Sequence, residues 1–171
     1  MKRKFISILL AIFLVFIFPG LVFVTFSPRP FKEIEFTFNR NVENFKYTAD
    51  LIKSNENKFD YIFIEYSNVQ YKFLNDEFSS TETSFNDFFN NIIPADNEKI
   101  RKLFLKSNVR YISYSRRSDD IEFLMWCAGS KRSRSIVYSD KMYNIGDMLF
   151  DAKISYLKNL GENFYSCGRN Y

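Results

Sequence analysis

Cys127 and Cys167 are the two thiols of the chain, and no histidine accompanies them. A thiol nucleophile needs a base within hydrogen-bond reach, and the commonest base is missing. The lack of histidine also excludes Ser-His-Asp catalysis, histidine-ligated zinc or haem, and imidazole pH switching. The better use of two thiols is a disulfide, expected if the domain folds in an oxidising compartment. A Cys127–Cys167 bridge would close a 41-residue loop and stabilise by roughly 4 kcal/mol in the chain-entropy picture. Two buried free thiols, or one reactive thiol, are the alternatives.

Three other groupings have the residue types for chemistry but not the spacing. Ser155-Tyr156-Leu157-Lys158 has the Ser-x-x-Lys pattern of penicillin-recognising enzymes, without their Ser-Asp-Asn and Lys-Thr-Gly companions. Ser155 and Lys158 share a face only on a helix, and this segment reads as a strand, so a solvated surface pair is expected. Gly129-Ser130-Lys131-Arg132-Ser133 lacks the Gly-x-x-x-x-Gly-Lys spacing of a phosphate loop and reads as a polar turn. Asp119, Asp120 and Glu122 are the densest acidic cluster. Three carboxylates can hold calcium or magnesium, but the spacing fits no EF-hand loop, and Arg116 and Arg117 stand ready to pair across the turn. No catalytic set, metal ligand set or cofactor is therefore assigned.

The charges divide the chain more sharply than any motif does. The whole carries 24 basic and 20 acidic residues, a formal +4 with a pI near 9.0. All of that excess lies in residues 1–30, as Lys2, Arg3, Lys4 and Arg29. Residues 31–98 are net −7 and residues 99–171 net +7. A candidate basic face comprises Lys99, Arg101, Lys102, Lys106, Arg110, Arg116, Arg117, Lys131, Arg132 and Arg134. It suits an acidic protein, an anionic envelope polymer or anionic headgroups. Mutual neutralisation of the two halves is the plainer alternative. Nothing sets aromatics and arginines in a recognised nucleic-acid motif, so nucleic acid is not an expected partner.

Phe5 to Phe26 is a run of 22 residues without a charge. As a helix it spans about 33 Å, enough for a hydrocarbon core of roughly 30 Å. Lys2-Arg3-Lys4 before it places the N-terminus in the cytoplasm and the rest of the chain outside. A cleaved signal peptide, with 5–18 as its apolar core, is the rival, but the following residues make a poor cleavage site. A buried core helix is the third reading. The expected organisation is a cytoplasmic basic N-terminus (1–4), a transmembrane anchor (5–26), a stiff linker (27–32) and one exported domain (33–171). That layout resembles small bacterial inner-membrane or surface proteins.

The exported part holds 15 Phe, 11 Tyr and Trp126, ample for one core. Residues 33–39 alternate, with Ile34, Phe36 and Phe38 on one side, and predict a half-buried strand. Asn41 is the expected cap of a helix over 42–54, with Val42, Phe45, Ala49 and Ile52 on one face. Strands are expected over 59–66 and 69–73, joined at Ser67-Asn68. Residues 75–83 read as a polar loop. Ser84 and Asp96 are expected to cap two further helices. Strands then follow over 109–115, 121–127 and 135–139, with a last hairpin around Gly161-Glu162, although a helix over 148–160 competes with its first strand. The fold class is α+β, a mainly antiparallel sheet with two or three helices behind the transmembrane helix.

Together these features predict a single-pass membrane protein whose exported domain binds a protein or envelope component without catalysis, as an immunity or accessory protein does. The first alternative is a histidine-free enzyme working through carboxylates or a metal, with Asp119, Asp120 and Glu122 as its centre. The second is a structural protein binding anionic polymer through the basic 99–134 region.

Overall fold

The computed structural model describes residues 31–76, 80–128 and 131–171. The expected anchor at 5–26 and the residues flanking it up to 30 lie outside these. Among the described residues, no helix is long and apolar enough to cross a membrane.

Ile34, Phe38, Phe45, Ala49 and Ile52 are all buried, spaced four, seven, four and three residues apart. That is one stripe of a helix, and α1 runs from Phe31 to Lys53. It corrects the strand expected over 33–39 and places the start of the domain inside the expected linker. The alternation was coincidental: Ile34 and Phe38 are also four apart, whereas Phe36 is 60% exposed. Asn41 stands where two helical stretches join, the second matching the helix expected over 42–54, but its side chain bonds back to the first stretch instead of capping the second. It bends α1 with non-helical dihedrals, and its Nδ2 donates to the Thr37 carbonyl at 2.9 Å.

Nine strands follow: β1 (Phe59–Ile64), β2 (Asn68–Phe73), β3 (Thr81–Ser84), β4 (Tyr111–Ser115), β5 (Asp120–Ala128), β6 (Arg132–Tyr138), β7 (Met148–Leu149), β8 (Ala152–Gly161) and β9 (Phe164–Asn170). They form one antiparallel sheet in the order β3-β2-β1-β4-β5-β6-β9-β8-β7. Between β3 and β4 lie a short helix, α2 (Phe85–Asp87), a π turn (Phe88–Ile92) and α3 (Asn97–Ser107). The caps fall where the sequence places them. Ser84 Oγ accepts from Asp87 N–H at 3.1 Å, and Asp96 Oδ1 accepts from Glu98 N–H, also at 3.1 Å. The 148–160 region is strand, and two residues with positive φ close each of its hairpins. Phe150-Asp151 join β7 to β8, and Glu162-Asn163 join β8 to β9.

The helices cover one face of the sheet. Ile62, Ile64, Val69, Ile112, Ile121, Phe123, Ile136 and Phe164 point into that layer and meet Phe38 and Phe45 of α1 and Leu103 of α3. Among the described residues, the other face carries no helix. Over its β6, β9 and β8 portion lies the β6–β7 loop, residues 139–147, which with β7 and the β7–β8 turn brings Tyr143, Leu149 and Phe150 onto Val137, Ile154 and Cys167.

Candidate functional site

The loop-covered face contains most of the buried polar groups of the domain. Pairing registers place Glu122 opposite Val137, Ser135 opposite Cys167, and Ser133 opposite Arg169. The side chains alternate along each strand, so all of these point away from the helices. Arg169 and Glu122 form an ion pair with side chains 0% and 3% exposed. Arg169 Nη2 also donates to Ser135 Oγ at 3.0 Å, and the rings of Phe150 and Tyr171 cover the guanidinium at 5.2 and 5.9 Å. Burial pulls the arginine below its ordinary pKa, yet a guanidinium stays charged across any folding pH. The sheet therefore holds a fixed charge pair on this face, beneath the rings of Phe150 and Tyr171.

Asp120 is two residues before Glu122, on the same face and 1% exposed. Burial raises its pKa; the neighbouring Ser139 and Tyr143 hydroxyls pull the other way, but neither carboxylate oxygen has a partner in good hydrogen-bond geometry. Burial, and then Asp120 itself, raise Tyr143 well above the ordinary phenol value. Cys167 is pushed up to about 12, first by burial and then by the Asp120 charge, so its thiol is inert. A carboxyl whose folded pKa lies above its unfolded value favours folding at low pH. That stability is lost as the pH rises from the unfolded value of about 3.9 through the raised one. Asp120→Asn is expected to flatten this dependence and to raise stability at pH 8, because the amide has no charge to desolvate there. Thermal melts of both proteins between pH 4 and pH 8 check it.

The outer side of the loop is apolar where loops are ordinarily polar. Met142 is 87% exposed and Ile145 69%, and Met148, where the loop enters β7, is 62%. Between the loop and the sheet opens a cleft of about 440 Å³, lined by Met142, Tyr143, Asn144, Ile145, Leu157, Asn159 and Tyr165. The loop is held in shape from within. Ser139 Oγ lies 3.2 Å from Tyr143 Oη, Asn144 N–H donates to Asp147 Oδ2 at 2.6 Å, and Gly146 takes a positive φ closed to most side chains. Asn163 Nδ2 donates to Asp140 Oδ1 at 2.8 Å, tying the loop to the β8–β9 turn.

No family model, curated protein or solved structure matches the chain. The assignment of function therefore rests on the residues themselves.

The expected disulfide is absent: Cys127 and Cys167 are both free. Their strands, β5 and β9, both pair with β6 and lie on either side of it. Two strand spacings come to about 9.6 Å, beyond the roughly 7 Å that a bridge tolerates between Cα atoms. Cys127 Sγ instead lies 3.6 Å from Arg110 Nη1. The acidic cluster is divided as well. Asp119 sits in the β4–β5 turn and accepts from Lys53 Nζ at 2.7 Å, while Asp120 and Glu122 turn into the sheet. Among the described residues, no group of three potential ligands is arranged to hold a metal ion.

The candidate basic residues are spread over several surfaces. Lys99, Arg101, Lys102 and Lys106 lie on α3. Lys99 rests on the Tyr47 ring at 4.7 Å, and Arg101 on Phe85 at 4.4 Å. Arg110 precedes β4 and Arg116 and Arg117 follow it, so the two ends stand about 20 Å apart along that strand. Lys131, Arg132 and Arg134 share the Arg110 end, where β6 begins. Ser155 and Lys158 do not form a pair: Lys158 joins Glu35 of α1 in a salt bridge. Sequence reasoning missed the Glu122–Arg169 pair, whose members are 47 positions apart. It also missed the loop, although Met142, Ile145 and Met148 beside Gly146 are an apolar set in a turn-rich stretch.

Proposed function

We propose that the chain is a single-pass, N-in membrane protein whose exported domain binds a protein partner without catalysis. It makes contact through the β6–β7 loop and the cleft behind it. The reading is supported above all by Met142, Ile145 and Met148, three large apolar side chains more than 60% exposed on one short segment. Contiguous exposed apolar groups beside a rigid base are the usual mark of an interaction surface, and methionine adapts its shape to a partner. The hydrogen bonds within the loop brace that surface, so little ordering remains to be done on binding. Asp120 and Glu122 lie 1% and 2% exposed, out of reach of a substrate, which supports binding over carboxylate catalysis. An immunity or accessory role, with the anchor holding this surface at the outer face of the cytoplasmic membrane, is the concrete form.

Ile145→Asp with Met148→Asp is expected to weaken partner recovery about thirtyfold or more, as the loss of a central apolar anchor does. Affinity isolation of the full-length chain from solubilised membranes, wild type beside variant, reads that loss. Equal recovery by the two proteins contradicts the proposal. Both positions are exposed, so folding stability is expected to change by no more than about 0.5 kcal/mol.

A further inference from the structure

A second cleft, of about 350 Å³, opens where α1 begins, and its lining includes Phe31, Trp126, Arg132, Arg134 and Tyr156. The registers explain the grouping. Trp126 pairs with Arg134, Arg134 with Gly168, and Gly168 with Tyr156, so β5, β6, β9 and β8 contribute in turn to one face. Arg132 lies two residues before Arg134, on the same side of β6. Gly168 makes the roof possible: a Cβ there would lie 2.7 Å from Phe31 Cζ. Phe31 stacks on Tyr156 with ring centroids 3.6 Å apart, and Arg134 lies 4.1 Å from the Phe31 centroid and 5.6 Å from that of Trp126. Among the described residues, no carboxylate pairs with Arg132 or Arg134, whereas Lys158 nearby is neutralised by Glu35. Burial lowers the Arg134 pKa below the ordinary value, the cost of holding an unpaired cation among rings.

We propose that this cleft receives the phosphate of an anionic phospholipid headgroup. The proposal rests on the reading that residues 5–26 anchor the chain. Phe31 is the roof of the cleft, and four residues, 27–30, separate it from the end of the apolar run. The five steps from Phe26 to Phe31 reach at most about 18 Å when extended, so an anchored chain holds this cleft at the headgroup layer. Its composition fits that place: tryptophan and tyrosine belong to membrane interfaces, and paired guanidiniums offer forked donors to phosphate oxygens. A free phosphate in solution has the same chemistry, but nothing fixes it beside the site.

Trp126 is the only tryptophan of the chain, which makes the cleft its own reporter. Full-length protein is incorporated into nanodiscs of phosphatidylcholine alone or with one-third phosphatidylglycerol. In the anionic discs, Trp126 emission is expected to shift to shorter wavelength and acrylamide quenching to fall at least twofold. Salt at 0.5 M should reverse both changes. Arg132→Gln neutralises an exposed side chain that makes no hydrogen bond or ion pair among the described residues, and is expected to abolish most of the difference. Arg134→Gln, which also loses the ring contacts, should do so too. Identical emission in the two kinds of disc overturns the cleft assignment while leaving the anchor standing. The same shift produced by millimolar inorganic phosphate in phosphatidylcholine discs overturns the headgroup as its source. Failure of the wild-type chain to enter any disc removes the anchor, and this proposal with it.

Discussion

Arg169→Met is expected to lower the unfolding free energy by about 3–5 kcal/mol, read from urea denaturation at pH 7. The substitution keeps the length of the side chain and removes its charge. Glu122, 2% exposed, is then left as a buried carboxylate without its cation. Water does not reach a side chain so enclosed, so the desolvation of that charge goes uncompensated. Glu122→Leu alone should be comparably costly, because it strands the guanidinium instead. The double substitution should recover most of the loss, since two apolar side chains of similar volume carry no charge to desolvate. A cost below about 1 kcal/mol for Arg169→Met would show that the pair is hydrated and that this face of the sheet is not sealed around it.

Phe45→Ala has the second large effect, a loss of about 3–5 kcal/mol in the same measurement. Phe45 is 0% exposed and lies between layers, its ring 5.2 Å from Phe38 on its own helix and 5.0 Å from Phe123 on β5. Truncation leaves a cavity bounded by α1 and the centre of the sheet, neither of which is free to collapse into it. Phe36→Ala is the control. On α1 this ring points outward at 60% exposure, so its loss should cost no more than about 0.5 kcal/mol. On the strand that simple alternation suggests for 33–39, Phe36 would lie beside Ile34 and Phe38 and cost as much as they do. The pair of measurements therefore separates the two structures of this segment.

The contrast at Phe36 marks where sequence reading succeeds here and where it stops. Local chemistry was legible. Ser84 and Asp96 cap the helices expected of them, and the alternation of Val69, Tyr71 and Phe73 matches a strand. The turn near Gly161 closes the last hairpin. Each depends on neighbours within a few positions. The first half of α1 was misread because four residues between apolar positions satisfies both a period of two and a period of 3.6. Only the continuation of the stripe through Phe45 to Ile52 separates them. Long-range chemistry was not legible. Glu122 alternates with Ile121 and Phe123 as a solvent-facing residue would, and nothing local shows that Arg169 will meet it. The cysteines misled for the same reason: both sit on strands near the end of the chain, but the sheet order puts β6 between them. The charge division, −7 then +7, is offset by Glu35 with Lys158, whereas Lys53 with Asp119 joins the two halves through the minority charge of each.

The account stands or falls on the outer surface of the β6–β7 loop. A photo-crosslinking amino acid placed at position 145 of the full-length chain in living cells tests it most directly, with position 65, an exposed site beyond the end of β1, as the control. The account predicts a discrete adduct of defined mass at 145, absent at 65 and lost when Met148→Asp is added. No adduct at 145, or the same diffuse labelling at both positions, would contradict it.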